Sequence, residues 1–162
     1  MKSPRKRLIV LFVLIVLSIG FIFFNSLQNS EKSNSASGII VEFVERVLDK
    51  FFGENEIDIN YLVRKGAHLT EFCILGFVVM GVVMTVGMKY LGYGLFYVLA
   101  VAVTDEYIQS FSDRTSSVKD ILIDFTGAMV GFCICAVVIL TIRKIRKSLK
   151  EKNSPHGKHF RE

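Results

Sequence analysis

Four stretches of this sequence are too apolar and too long for a water-soluble chain of its size, and they restrict the fold to a few membrane architectures. Leu8 to Phe24 carries no charged residue. The runs from about Ala67 to Met88, Tyr90 to Ser110 and Asp120 to Ile142 each approach the roughly 20 residues that an α-helix needs to cross a bilayer. Inside lipid every backbone N–H and C=O must be satisfied within the protein, which leaves helices as the form such runs can take. The 51% hydrophobic content of the 162 residues exceeds the need of one soluble core, so the bilayer is the solvent for the surplus. Trp is absent, and 14 Phe and 5 Tyr are left to act as packing and interfacial aromatics. The expected fold class is all-α: an integral membrane four-helix bundle with an additional amphipathic extracytoplasmic helix.

Charge orients the spans. Lys2, Arg5, Lys6 and Arg7 precede the first, and Arg143, Lys144, Arg146, Lys147, Lys150, Lys152, Lys158 and Arg161 follow the last, so both termini are expected to be cytoplasmic. The N-terminus resembles a secretory signal, but Asn25-Ser26-Leu27-Gln28 offers no small-x-small cleavage site, and an uncleaved anchor is expected. An even number of spans then puts Asn25 to Lys65 and Phe111 to Lys119 outside, with the Lys89 hinge inside. So short a hinge makes the second and third spans an antiparallel pair packed on each other. The basic tail fixes topology and can also attract anionic lipid headgroups. Because the net charge of +5 is concentrated at these flanks, it is a topology signal rather than a nucleic-acid footprint.

The outer segment opens with a Ser- and Asn-rich stretch, 25–38, that favours turns. From residue 39 to 52 the pattern changes. Ile39, Ile40, Phe43, Val47, Leu48, Phe51 and Phe52 recur at helical spacing between charged residues, predicting an amphipathic helix on the outer membrane surface or over the bundle. Cys73, Cys133 and Cys135 all lie in apolar runs without zinc or redox spacing, and packed thiols are expected.

Ionisable residues within the spans are the informative exceptions, since each costs about 2.5–3.5 kcal/mol near the bilayer centre on insertion scales. Arg64, His68, Glu71 and Leu75 follow helical steps of four, three and four along one stripe of the second span. In the third, Asp105 and Gln109 share a face and Glu106 points about 100° away. In the fourth, Asp120, Asp124, Gly127 and Gly131 form a stripe whose Gly-x-x-x-Gly spacing lets a neighbouring helix come close. Three spans of alternating direction thus bring their polar residues to one membrane level. Lys65, Arg114 and Lys119 stand at the same level, so mutual pairing can offset the cost of burial. The plainer reading is that these groups only fix helix register; Asp120 also suits a helix N-terminus, and Gln109 and Arg114 suit the interface.

Arg64-Lys65-Gly-Ala-His68-x-x-Glu71-Phe72, Leu75-Gly76, Asp105-Glu106-x-x-Gln109, Arg114 and Asp120-x-x-x-Asp124-x-x-Gly127, with Phe24-Asn25-Ser26-Leu27-Gln28 and the serines after it, together resemble the VanZ-like membrane proteins, from about Phe24 to Gly131. The resemblance implies a four-span envelope protein of Gram-positive type bacteria, whose namesake confers low-level resistance to teicoplanin and related lipid-tailed glycopeptides.

Two function classes follow from the polar residues. In the first, the cluster binds or reorganises a lipid-linked envelope precursor or acyl-tailed glycopeptide at headgroup level. Arg64, Lys65, His68 and Arg114 then act as donors, and Asp105, Glu106 and Asp124 as acceptors, with Glu71, Gln109 and Asp120 beside them. In the second, an outer-face enzyme uses His68 as general base, oriented by Glu71 or Asp105, with Arg64 or Arg114 holding a phosphate. There is no nucleophilic Ser or Cys motif. A proton-coupled transporter or flippase is a third possibility, since intramembrane acids serve proton relays. Membrane lipids are the expected partners and nucleic acid is not. No cofactor or metal is expected: Asp105, Glu106, Asp120 and Asp124 offer oxygen ligands, but in no known cation-binding loop spacing.

Overall fold

In the computed structural model, residues 4–27, 59–111 and 117–152 are described. They form α1 (Pro4–Ser26), α2 (Ile59–Val86), a 3-10 turn (Met88–Tyr90), α3 (Leu91–Gln109) and α4 (Val118–Lys152). Among the described residues, four helices are long and apolar enough to cross a membrane. The expected amphipathic helix at 39–52 and Arg114 lie outside the described residues.

The first, second and fourth spans read from the sequence are shorter than the helices, whereas the third, Tyr90 to Ser110, exceeds α3 by one residue at each end. Charge limits how much of a helix lipid will accept, whereas the helix continues wherever backbone hydrogen bonding is undisturbed. α2 therefore begins at Ile59, eight residues before the apolar run, and carries Arg64 and Lys65 on the same rigid rod as His68. α4 continues ten residues past Ile142 into the basic tail, where Lys147 and Glu151 stand 4.0 Å apart at i,i+4 spacing. At the hinge, Gly87 adopts φ +133°, a backbone region that L side chains rarely occupy. Its N–H closes the last turn of α2 on the Val83 carbonyl at 2.8 Å, and its carbonyl accepts from Tyr90 N–H at 3.1 Å.

Exposure is inverted relative to a soluble protein. Phe12 and Leu17 of α1 are 65% and 63% exposed, a surface suited to lipid. The core is a narrow seam of Ile22, Phe72, Leu75, Val79, Val98, Ala102, Ala128 and Phe132, rich in small and β-branched residues. Lipid tails are as apolar as such side chains, so helix association depends on close packing and interhelical hydrogen bonds more than on escape from water.

The closest packing joins α2 to α4, which run parallel, rather than α2 to its hairpin partner α3. A Cβ at Gly76 would fall on the Ala128 backbone, one at Gly127 on that of Leu69, and one at Gly131 on those of Cys73 and Phe77. The Gly127-x-x-x-Gly131 seam is thus the contact surface. The short hinge makes α2 and α3 neighbours, but the glycines bring α4 closer. The cysteine expectation needs one correction: Cys135 is buried and Cys73 half-buried, whereas Cys133, two residues from Cys135 and so on another side of the helix, is exposed.

Candidate functional site

At the end of the bundle where α1 and α3 finish and α2 and α4 begin, polar side chains from all four helices converge. Their centre is Asp105 on α3, with no solvent exposure. Ser26, at the C-terminus of α1, donates its hydroxyl to Asp105 Oδ1 at 2.5 Å, and Gln109 Nε2 donates to Oδ2 at 2.7 Å from one turn along α3. From α2, His68 Nδ1 stands 3.7 Å from Asp105 Oδ2 and 3.8 Å from Asp124 Oδ1 on α4. Asp124 is 2% exposed, and its Oδ2 accepts no hydrogen bond from the described residues. It lies six residues into α4, about 9 Å along the axis from the first helical residue.

Glu106 turns away from Asp105, as the helical period requires, and its Oε1 accepts the backbone N–H of Ser117. Ser117 in turn caps α4, its hydroxyl oxygen accepting from Lys119 N–H at 3.2 Å. Glu106 therefore ties the end of α3 to the start of α4. Lys65 and Asp120 form an ion pair at the partly exposed rim, with the Lys65 ammonium also 5.1 Å from the Tyr61 ring centre. Lys65, His68, Gln109, Asp120 and Asp124 line a narrow cleft.

The α2 stripe read from the sequence divides in three directions. His68 faces α3 and α4. Glu71 faces α1, where Asn25 Nδ2 donates to its Oε1 at 2.8 Å. The half-buried Arg64 stacks on Tyr61 at 5.8 Å and, among the described residues, makes no ion pair. Lys119 is exposed. Among the described residues, pairing of the cluster with a fixed cation is thus the work of Lys65, and neutral donors supply much of the rest. Asn25 and Ser26 were missed as site residues by sequence reasoning; the available signal was two consecutive polar residues ending an otherwise apolar helix.

Beside the cluster, an apolar groove of about 580 Å³ runs between Phe21 of α1 and Leu62, Val63, Gly66, Thr70 and Glu71 of α2. Glu71 belongs both to the groove and to the polar network.

Four membrane-length helices that hold a buried, multi-helix polar cluster at one end define a multi-pass helical membrane protein. The chain belongs to the VanZ/LLP1 family, whose model matches residues 10–141. No curated protein and no solved structure matches the chain.

Proposed function

We propose that the protein binds an amphiphilic component of the bacterial cell envelope at the outer face of the membrane, with both of its own termini cytoplasmic. The component takes its headgroup to the polar rim and its tail to the groove between α1 and α2. The observation that carries this reading is the groove itself: an apolar channel whose one acidic wall residue, Glu71, is part of the polar cluster. Arg64 and Lys65, at the same end of α2, offer donors to a phosphate or carboxylate. The chemistry fits a lipid-linked envelope precursor or an acyl-tailed glycopeptide, and for the latter the outcome is teicoplanin-type resistance.

Gly66 supplies the test. It lines the groove, is exposed, and a Cβ there meets nothing within 4 Å. Gly66→Leu therefore fills the groove without overlapping backbone, and its helix propensity improves. Binding of a polyprenyl-pyrophosphate-linked precursor and of teicoplanin to the purified protein in nanodiscs is expected to fall at least tenfold in this variant, with tail-free vancomycin as the control. In a sensitive Gram-positive host, protection against teicoplanin but not vancomycin is expected, and its loss in Asp124→Asn at equal abundance. Unchanged binding of both probes in Gly66→Leu would sink the groove reading.

A further inference from the structure

We propose that His68, Asp105 and Asp124 form a site for one divalent first-row transition cation, of the zinc or manganese type, held between α2, α3 and α4. Each residue offers a ligand atom, and these atoms all lie within 4.8 Å of one another. The inference is independent of the amphiphile reading.

The spacing favours shared ligation over direct hydrogen bonding. At 3.7 and 3.8 Å, the separations between His68 Nδ1 and the two carboxylate oxygens exceed hydrogen-bond length. Two donors each about 2.1 Å from a tetrahedral ion stand about 3.4 Å apart, so a contraction of a few tenths of an ångström suits His68 to share an ion with either aspartate, and the donor atoms of the two aspartates lie within 4.8 Å of each other.

A second observation is independent of the clustering. The side chain of Asp124, 2% exposed, lines the narrow cleft beside His68, and its Oδ2 has no hydrogen-bond partner among the described residues. A buried carboxylate oxygen left in that state is costly, and an ion held by both oxygens of Asp124 removes the cost.

Charge and donor type narrow the occupant. Two aspartates and a neutral imidazole sum to the charge that a divalent ion cancels. One nitrogen and two carboxylate oxygens suit zinc or manganese better than magnesium or calcium, which prefer all-oxygen shells. Asp105 is also already oriented, by the Ser26 hydroxyl and the Gln109 amide, as ligating carboxylates are by their outer partners. The site escapes sequence inspection because its three ligands come from three helices and leave no loop signature.

The test is bound metal in the full-length protein, purified in detergent without chelator and measured by inductively coupled plasma mass spectrometry. Chelation and titration with Zn²⁺, Mn²⁺, Mg²⁺ and Ca²⁺ follow, read by thermal unfolding. About one zinc or manganese per chain is expected, with Tm rising when that ion returns. Asp124→Asn, nearly isosteric and checked for folding by size-exclusion chromatography, is expected to weaken the ion's binding about 100-fold or more. His156→Ala with His159→Ala in the tail, and Cys133→Ser on the exposed thiol, are expected to retain the ion. The proposal is overturned if wild type carries no more metal than Asp124→Asn and no ion raises Tm, if the metal is lost with the tail histidines or Cys133, or if magnesium or calcium alone acts and does so equally in Asp124→Asn.

Discussion

Asp105 shows how a chain tolerates a fully buried carboxylate at membrane depth. Its two oxygens accept from Ser26 and Gln109, whose helices put them within 2.5 and 2.7 Å, so the carboxyl group is hydrogen-bonded by protein in place of water. Ser26→Ala strips one donor from an atom with no access to solvent, and a loss of about 1–3 kcal/mol is expected in thermal unfolding in detergent. A double-mutant cycle with Asp105→Asn separates this bond from general loosening. Polar pairs in membranes average about 0.6 kcal/mol of coupling, and a buried charged acceptor should exceed that. Zero coupling would mean that the hydroxyl contributes nothing to holding Asp105.

At the scale of elements, the glycines of α4 and Gly76 of α2 decide which helices meet. Gly131→Ala puts a methyl group onto the backbone of Cys73 and Phe77, so α2 and α4 must separate; about 1–3 kcal/mol of destabilisation is expected. Gly20→Ala on α1, where a Cβ meets nothing within 4 Å, is expected to be neutral or to stabilise by up to about 1 kcal/mol through helix propensity. Equal Tm values for the two variants would show that the seam does not hold the bundle. Separating α2 from α4 also carries His68 away from Asp124, so Gly131→Ala should impair function while leaving every polar residue present.

For the whole molecule, the apolar exterior fits four membrane spans, and the basic flanks are the basis of the proposed topology with both ends inside. The proposed topology predicts the polar cluster outside and Lys89 inside. In a chain whose native cysteines are replaced by alanine, a membrane-impermeant maleimide should label Phe111→Cys in intact cells and spare Lys89→Cys until the membrane is opened. The reverse pattern would move the cluster to the cytoplasmic face and exclude an outer-face amphiphile as its ligand.

The sequence alone determined the solvent, the number of spans and the level of the polar residues, because these depend on run length, on the cost of burying charge and on the 3.6-residue period. His68, Asp105, Gln109 and Asp124 were legible for that reason: an ionisable or amide group in an apolar run has few neutral explanations. The partners of each group were decided by tertiary structure. No local pattern foretells that Ser26 meets Asp105 from 79 residues away, or that Lys65 takes Asp120 from another helix. Those outcomes depend on how far apart the helix axes stand and how each helix is rotated. Between α2 and α4 both are set by the backbone contacts that the glycines permit, and elsewhere by how α1 and α3 pack on that pair.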